Sequence, residues 1–327
     1  MRQILLHEPG HFVDLQVPVP KCAPGQALIR MRRVGICGSD YHAFAGVHPA
    51  YTFPRVIGHE LAGEVVEIGE NDRGIRPGDR CAVEPYIACK QCRPCRLKRY
   101  NCCESLKLLG LHVDGGMQAY LSVPIELVHK SEKLSLDQLA LIETLGVGAN
   151  AVKRSGLEPG EEALVIGAGP IGLSVVQFAL AAGASVRVVE KVEWRRKFAE
   201  QFGATTLAER DGKLADVVFD VTGVAASMEQ SLYGVAPAGR LVFVGICKDK
   251  VAIDDPLLHK REITIYASRN SSYQFPRIIG MIESGRIDTA PWITHRLTLA
   301  DVPREFAALR GCSNLIKAVI EVQDTDA

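Results

Sequence analysis

The pattern of apolar and polar residues along the chain is β-rich over roughly the first 145 residues and changes from about residue 160. In the first part, residues 27–32 alternate apolar and polar side chains, a pattern typical of a strand with one buried face. Residues 62–68 and 80–83 are further strand candidates, and Pro-Gly or Gly-Gly pairs separate such runs. We therefore predict a partly open β-barrel with irregular loops for this part of the chain.

Beyond residue 160, short runs rich in Val, Ile and Leu alternate with helical segments. Nearly continuous apolar strands separated by helices predict a parallel sheet with helices on both faces. The tail beyond residue 288 is more polar and ends in a strand-like run, 317–322. The strand candidates of the sheet are residues 163–166, 186–189, 204–207, 217–219, 241–244 and 263–266. The predicted fold class is thus α/β with a doubly wound parallel sheet.

Composition and charge limit the kinds of partner that this protein is expected to bind. The chain has 327 residues, and its 38 Lys and Arg balance 38 Asp and Glu, so it has no electrostatic reason to bind nucleic acid or an anionic membrane. Its N-terminal apolar run is too short for a secretory signal, and no apolar stretch reaches the roughly 18 residues of a membrane span. These features predict a cytoplasmic protein whose ten cysteines are not paired in disulfides.

A glycine-rich segment follows the first strand of the predicted parallel sheet and begins a helix, 171–182. Its G-x-G-x-x-G spacing in this strand-turn-helix context predicts a dinucleotide site, because the glycines let the backbone approach a diphosphate at the helix N-terminus. The alternative is a purely structural turn. The residues assigned to cofactor binding are Gly167, Gly169, Pro170, Ile171 and Gly172.

Glu190 lies at the end of the next predicted strand, 23 residues after Gly167. A carboxylate at this place can accept hydrogen bonds from both ribose hydroxyls and repels a 2′-phosphate, which favours NAD over NADP. Lys191 and Arg195 follow closely, so some use of NADP remains compatible with the sequence. Glu190 could also be an ordinary solvated carboxylate at a strand end.

Five of the ten cysteines lie within residues 89–103. The spacing C-x2-C-x2-C-x7-C can close a tetrahedral structural zinc site and fix a lobe, residues 88–104, that is too small for a core of its own. Either Cys102 or Cys103 could supply the last thiolate. Buried or disulfide-bonded cysteines are one alternative, and a zinc-ribbon nucleic-acid module, which the zero net charge disfavours, is another. The preferred ligand set is Cys89, Cys92, Cys95 and Cys103.

Four further residues predict a second, reactive metal site. Cys37, His59 and Glu60 supply a thiolate, an imidazole and a carboxylate, and Glu143 is a carboxylate in an apolar run, where burial is costly unless it is paired or metal-bound. Zinc with mixed N, S and O ligands and one exchangeable position is the catalytic pattern. Taken singly, each of these residues could be an ordinary core or surface side chain. Together with the dinucleotide segment, they favour an enzyme.

With these motifs in this order, the sequence resembles the zinc-containing medium-chain alcohol dehydrogenase family over its whole length, and most closely the branch that oxidises polyols, threonine and sugar acids. The resemblance implies a GroES-like catalytic domain at 1–147, a Rossmann domain at 148–287, and a return to the catalytic domain at 288–327. It also implies a homo-oligomer, a dimer or tetramer, as does the predicted last strand of the sheet, 262–267, whose edge needs a partner.

The resemblance implies roles for individual residues. Cys37 and His59 would be ligands of the catalytic zinc, and either Glu60 or Glu143 would complete the set, with exchange between the two glutamates at the metal. Asp40 would hold the zinc-bound imidazole. Ser39 and His42 would relay the proton of the alcohol.

The substrate is expected to be a secondary alcohol of a sugar acid, such as L-galactonate or L-gulonate, oxidised to its ketone. The motivation is a local similarity at residues 267–270 and 294–296 to sugar-acid dehydrogenases, and Arg269 could bind a substrate carboxylate. Arg269 could equally serve a subunit interface or the cofactor. A neutral-polyol or simple-alcohol dehydrogenase is an alternative, as is a non-catalytic sensor that binds zinc and dinucleotide.

Overall fold

The computed structural model describes all residues, Met1–Ala327. Its strands are β1 (Arg2–Glu8), β2 (His11–Gln16), β3 (Gln26–Ile36), β4 (Glu60–Ile68), β5 (Arg80–Val83), β6 (Tyr86–Ile87), β7 (Lys107–Leu108), β8 (Tyr120–Pro124), β9 (Val128–Lys130), β10 (Glu162–Ile166), β11 (Ser185–Val189), β12 (Thr205–Leu207), β13 (Ala215–Asp220), β14 (Val235–Phe243), β15 (Thr264–Ala267), β16 (Ile293–Thr298) and β17 (Lys317–Glu321).

Its α-helices are α1 (Gly38–Phe44), α2 (Arg93–Arg96), α3 (Leu136–Ala140), α4 (Ile142–Ser155), α5 (Pro170–Ala181), α6 (Glu193–Glu200), α7 (Ala225–Ser231), α8 (Asp255–Lys260), α9 (Phe275–Glu283) and α10 (Val302–Leu309). None of them has the length and apolar character that crossing a membrane would require.

The chain forms two compact units. The first comprises Met1–Glu143, Phe275–Glu283 and Thr289–Ala327, and the second comprises Thr144–Gln274 and Ser284–Asp288. Helix α9 thus groups with the first unit, whereas the range expected from the sequence placed it in the dinucleotide domain. Its anchors explain this, because Phe275 packs on the His129 ring and Glu283 accepts a hydrogen bond from Ser131. The predicted boundaries at residues 147 and 287 stay a prediction.

A seven-stranded sheet organises the first unit. Its order is β16-β17-β3-β4-β5-β9, and β8 also pairs with β3. The C-terminal strand β17 runs antiparallel to β3, with Ala318 opposite Ile36. Alternating side chains of β3, such as Ile29 and Met31, are fully buried in the core of this unit. β3 is longer than its predicted segment because it has partners along its whole length.

The second unit contains six parallel strands in the order β12-β11-β10-β13-β14-β15. Numbered from β10, this is the order 3-2-1-4-5-6 of a Rossmann fold, whose ligand crevice opens where the order reverses, between β10 and β13. All six predicted segments form strands, which confirms the doubly wound sheet. β14 begins at Val235 rather than near residue 241, since Pro237 and Gly239 made its first half look like a turn.

Candidate active site

Three potential metal ligands meet where β3 ends and β4 begins. Cys37 follows β3 directly, whereas His59 precedes β4 and Glu60 is its first residue. One ligand atom from each lies within 4.8 Å of the others. The strand register places Glu60 opposite Gly35, and a Cβ at position 35 would stand 2.1 Å from Glu60 Oε2. A glycine at position 35 therefore leaves the space that this carboxylate occupies.

Asp40 lies fully buried beside this donor set. Its Oδ2 accepts a hydrogen bond from the Cys37 backbone N–H at 2.9 Å, and its Oδ1 lies 3.7 Å from His59 Nδ1. Burial lowers the pKa of His59, but the negative charges of Asp40 and Cys37 outweigh it and raise that pKa well above its usual value. Burial also raises the pKa of Asp40. This concentration of acidic groups suits an added positive charge.

The two candidate carboxylate ligands are held by different partners. Glu60 Oε1 accepts a hydrogen bond from Lys317 Nζ at 2.5 Å, and both side chains are buried. Glu143, in the first turn of α4, accepts one from the Tyr86 hydroxyl, and burial raises the pKa of Glu143. Glu60 belongs to the compact donor set with Cys37 and His59, and Glu143 lies outside it.

Sequence reasoning missed the two residues that hold these carboxylates. Lys317 left a signal in the sequence, because it is a charged residue at the start of an apolar run, 318–320. The structure buries all four residues. The partner of Lys317, however, lies 257 positions away in the chain. Tyr86 left none, since an isolated tyrosine in a short strand is commonplace.

The residues expected to relay a proton lie on α1. Ser39 is half-buried and His42 is exposed, and residues three apart on a helix lie on neighbouring positions of one face. Tyr51, which sequence reasoning also missed, is 8% exposed and lies close enough to Ser39 and Asp40 for both to influence its pKa. Its own pKa is raised, chiefly by burial. The arrangement leads from the buried donor set towards solvent.

The donor set fits a zinc ion. A thiolate, an imidazole and a carboxylate are the mixed ligands that zinc takes at catalytic sites. His59 Nδ1 and Asp40 Oδ1 are buried and have no hydrogen-bond partner. A metal on the other imidazole nitrogen would make Nδ1 a donor facing Asp40, which is the usual carboxylate–histidine–metal arrangement.

The four cysteines of the predicted lobe also converge. Cys89, Cys92, Cys95 and Cys103 each place a sulfur within 4.8 Å of the other three, and all ten cysteines of the chain are free of disulfides. The exposed Cys102 is not part of this group. Backbone N–H groups of residues 91 and 92 lower the pKa of Cys89 to about 6, whereas burial and the neighbouring thiols raise the pKa of Cys95. Four cysteine sulfurs this close together suit a closed structural zinc site, in which the metal would hold them as thiolates.

In the second unit, the glycine-rich segment follows β10 and begins α5. Gly167 has a positive φ of 103°, and a Cβ on Gly172 would stand 2.0 Å from the Gly167 carbonyl oxygen, so both positions require glycine. Gly169 caps α5 and has no atom within 4 Å of its missing Cβ. The backbone is therefore open at the helix N-terminus, where a diphosphate is favoured.

Glu190 is tied to the glycine-rich segment. It follows β11, and its Oε2 accepts a hydrogen bond from the Ala168 backbone N–H at 2.8 Å, while Oε1 accepts one from Val192 N–H at 2.9 Å. These bonds fix the carboxylate beside the segment and leave lone pairs on both oxygens for a ligand. Sequence spacing placed Glu190 near this turn, and the geometry brings them into contact.

Comparison with known proteins adds the family. Residues 23–133 match the model of the alcohol dehydrogenase GroES-like domain, and residues 170–284 match that of the zinc-binding dehydrogenase domain. L-Galactonate-5-dehydrogenase of Escherichia coli K12 is 36% identical over 98% of both chains. The chain belongs to the zinc-type alcohol dehydrogenase family. It is therefore an oxidoreductase that acts on CH–OH groups, and the predicted pairing of a GroES-like domain with a Rossmann domain is confirmed.

Two solved structures of this family share the fold across the chain. A short-chain alcohol dehydrogenase, RspB, from Escherichia coli CFT073, in complex with NADH, superposes with a TM-score of 0.93 at 27% identity, covering 98% of this chain and 99% of the other. A zinc-binding dehydrogenase from Sinorhizobium meliloti 1021, bound to NADP, has a TM-score of 0.92 at 29% identity, covering 98% of both. Members with this fold thus bind either dinucleotide.

Arg269 lies in the second unit, two residues after β15. Its side chain is exposed, and its backbone carbonyl accepts a hydrogen bond from the Asn150 amide at 3.1 Å. This bond fixes the backbone from which the guanidinium extends. The role of Arg269 towards a substrate carboxylate stays a prediction.

Proposed function

We propose that this protein is a zinc-dependent, NAD-linked dehydrogenase that interconverts a secondary alcohol of a sugar acid, such as L-galactonate or L-gulonate, and its ketone. The observation that carries the proposal is the 36% identity with L-galactonate-5-dehydrogenase over 98% of both chains. The local similarity at residues 267–270 and 294–296 supports the same substrate class.

In this proposal, Cys37 and His59 hold a catalytic zinc together with Glu60, and Glu143 is the alternative carboxylate. Zinc there would polarise the oxygen of the substrate and lower the pKa of its hydroxyl. The Ser39 hydroxyl accepts the alcohol proton and passes it to the exposed His42, which releases it to solvent. Asp40 keeps His59 in the orientation and tautomer needed for ligation.

The cofactor is proposed to be NAD. Its diphosphate would lie against the open N-terminus of α5, and Glu190 would accept hydrogen bonds from the adenosine ribose hydroxyls. A 2′-phosphate at that place would meet the Glu190 carboxylate, which the Ala168 and Val192 amides hold in position. The nicotinamide supplies the hydride acceptor.

The four-cysteine lobe is proposed to hold a second, structural zinc. With four thiolates as ligands, that ion would have no open position for a substrate. It would instead fix a segment that has no strand of its own and lies between the two-residue strands β6 and β7. Two zinc ions per chain with different functions are therefore expected.

The proposal is tested by a screen of NAD reduction with hexonates, matching polyols and simple alcohols, with and without prior removal of metal. We expect kcat/KM for the best aldonate to exceed that for 2-butanol by at least about 100-fold, because buried polar groups are left unpaired by an apolar substrate. Removal of zinc should abolish the activity. Equal or better activity with simple alcohols would refute the substrate class, and full activity of zinc-free protein would refute the mechanism.

A further inference from the structure

A buried lysine lies beside the catalytic donor set. Lys317 begins β17 and is 3% exposed, and its ammonium donates to Glu60 Oε1 at 2.5 Å and to the Ile36 carbonyl at 3.3 Å. The pairing of β17 with β3 brings it to the end of β3, where Cys37 follows. A lysine is almost never fully buried unless it is paired, so Glu60 is the partner that this burial requires.

The same carboxylate is thus shared between an ammonium and the predicted metal position. Glu60 is within 4.8 Å of the ligand atoms of Cys37 and His59 while one of its oxygens is bonded to Lys317. A cation on one oxygen withdraws negative charge from the other, and it also repels a divalent metal nearby. Both effects weaken Glu60 as a metal ligand.

We propose that Lys317 is a positioning residue that keeps Glu60 a weak, exchangeable ligand of the catalytic zinc. The inference rests on the zinc centre of the proposed function. Glu143, which accepts a hydrogen bond from the neutral Tyr86 hydroxyl, is the second candidate carboxylate for that position. The pair of held carboxylates gives the metal two alternative oxygen ligands of unequal strength.

A purely structural lysine would behave differently. If Lys317 only supported the fold around the site, its loss would loosen the donor set and weaken zinc binding. If Lys317 instead competes with zinc for Glu60, its loss should strengthen zinc binding. In a variant without Lys317, the zinc-free protein would contain the buried Glu60 carboxylate without its ammonium partner, which is strongly unfavourable. Binding of zinc would then relieve that cost.

The experiment measures retention of the catalytic zinc by the full-length holoenzyme in a chelator competition. The catalytic ion is the one that Cys37→Ser abolishes. We expect Lys317→Met to retain it at least about tenfold more tightly than the wild type, as loss of one nearby positive charge implies. Lys317→Gln, which keeps a hydrogen-bond donor but no charge, should show the same gain, and it replaces the Met variant if that protein does not fold. Lys317→Arg should restore wild-type affinity.

Two further variants make the result specific. Lys130→Met removes another ion-paired lysine of the first unit, one whose partner is Asp79, and should leave zinc retention unchanged. Adding Glu60→Gln to Lys317→Met should cancel the gain. Equal or weaker zinc retention in both Lys317→Met and Lys317→Gln would overturn the inference and leave the proposed function intact. A wild type that retains no zinc sensitive to Cys37→Ser would overturn both.

Discussion

Replacing Asp40 with asparagine should weaken the catalytic zinc without unfolding the protein. The new side chain would keep an oxygen that accepts the Cys37 backbone N–H, now bonded at 2.9 Å, so the start of α1 is preserved. Its amide nitrogen would instead face His59 Nδ1, so that two donors oppose each other. In the zinc-bound protein the imidazole would lose its hydrogen bond to the Asp40 carboxylate, and a hydrogen bond to a charged group is worth about 1.5–3 kcal/mol. This corresponds to roughly a 10- to 100-fold loss of zinc affinity, the range found for partners of metal-bound histidines.

The assay is chelator competition for zinc, together with thermal unfolding of the same samples. Asp301→Asn is the matched control. Asp301 also accepts a hydrogen bond from the backbone N–H of a helix-capping residue three positions earlier, Thr298, and it belongs to neither cysteine-containing group of potential ligands. The control should leave zinc retention unchanged. Zinc affinity of Asp40→Asn within about threefold of the wild type would refute the reasoning that Asp40 orients His59 for the metal.

The remaining predictions concern cofactor, substrate, lobe and assembly. Glu190→Ser should raise kcat/KM with NADP relative to NAD, since the fixed carboxylate is gone; comparable use of both cofactors by the wild type would contradict this reading. Arg269→Met should lower kcat/KM for an aldonate about 100-fold and hardly affect its matching polyol, and equal losses would remove the carboxylate role. Cys92→Ser should lower the thermal unfolding temperature far more than Cys37→Ser, which should abolish turnover instead; equal shifts would argue against two separate zinc functions. The protein should form at least a dimer, because β15 ends the parallel sheet with a single strand neighbour, and a monomer mass by light scattering at micromolar concentration would exclude this.

Features formed by residues that are close together in the chain were predictable from the sequence. The glycine-rich turn needs only the strand before it, the helix after it and the spacing between Gly167 and Gly172. The four sulfurs of the lobe are close in the chain, so their spacing alone indicates a common ligand. The Val- and Ile-rich segments of the parallel sheet were recognisable because strands buried on both faces must be apolar throughout.

Only the tertiary structure decided which groups surround the catalytic donor set. The antiparallel register of β3 and β4 places Glu60 beside Cys37, whereas Glu143 enters from α4 and is held by Tyr86. Lys317 reaches Glu60 because the last strand pairs with β3, across 257 positions of sequence. Such a long-range ion pair cannot be predicted from a single sequence. The two charged residues are far apart in the chain, and each buried charge finds its partner only when the two strands pair in the folded protein.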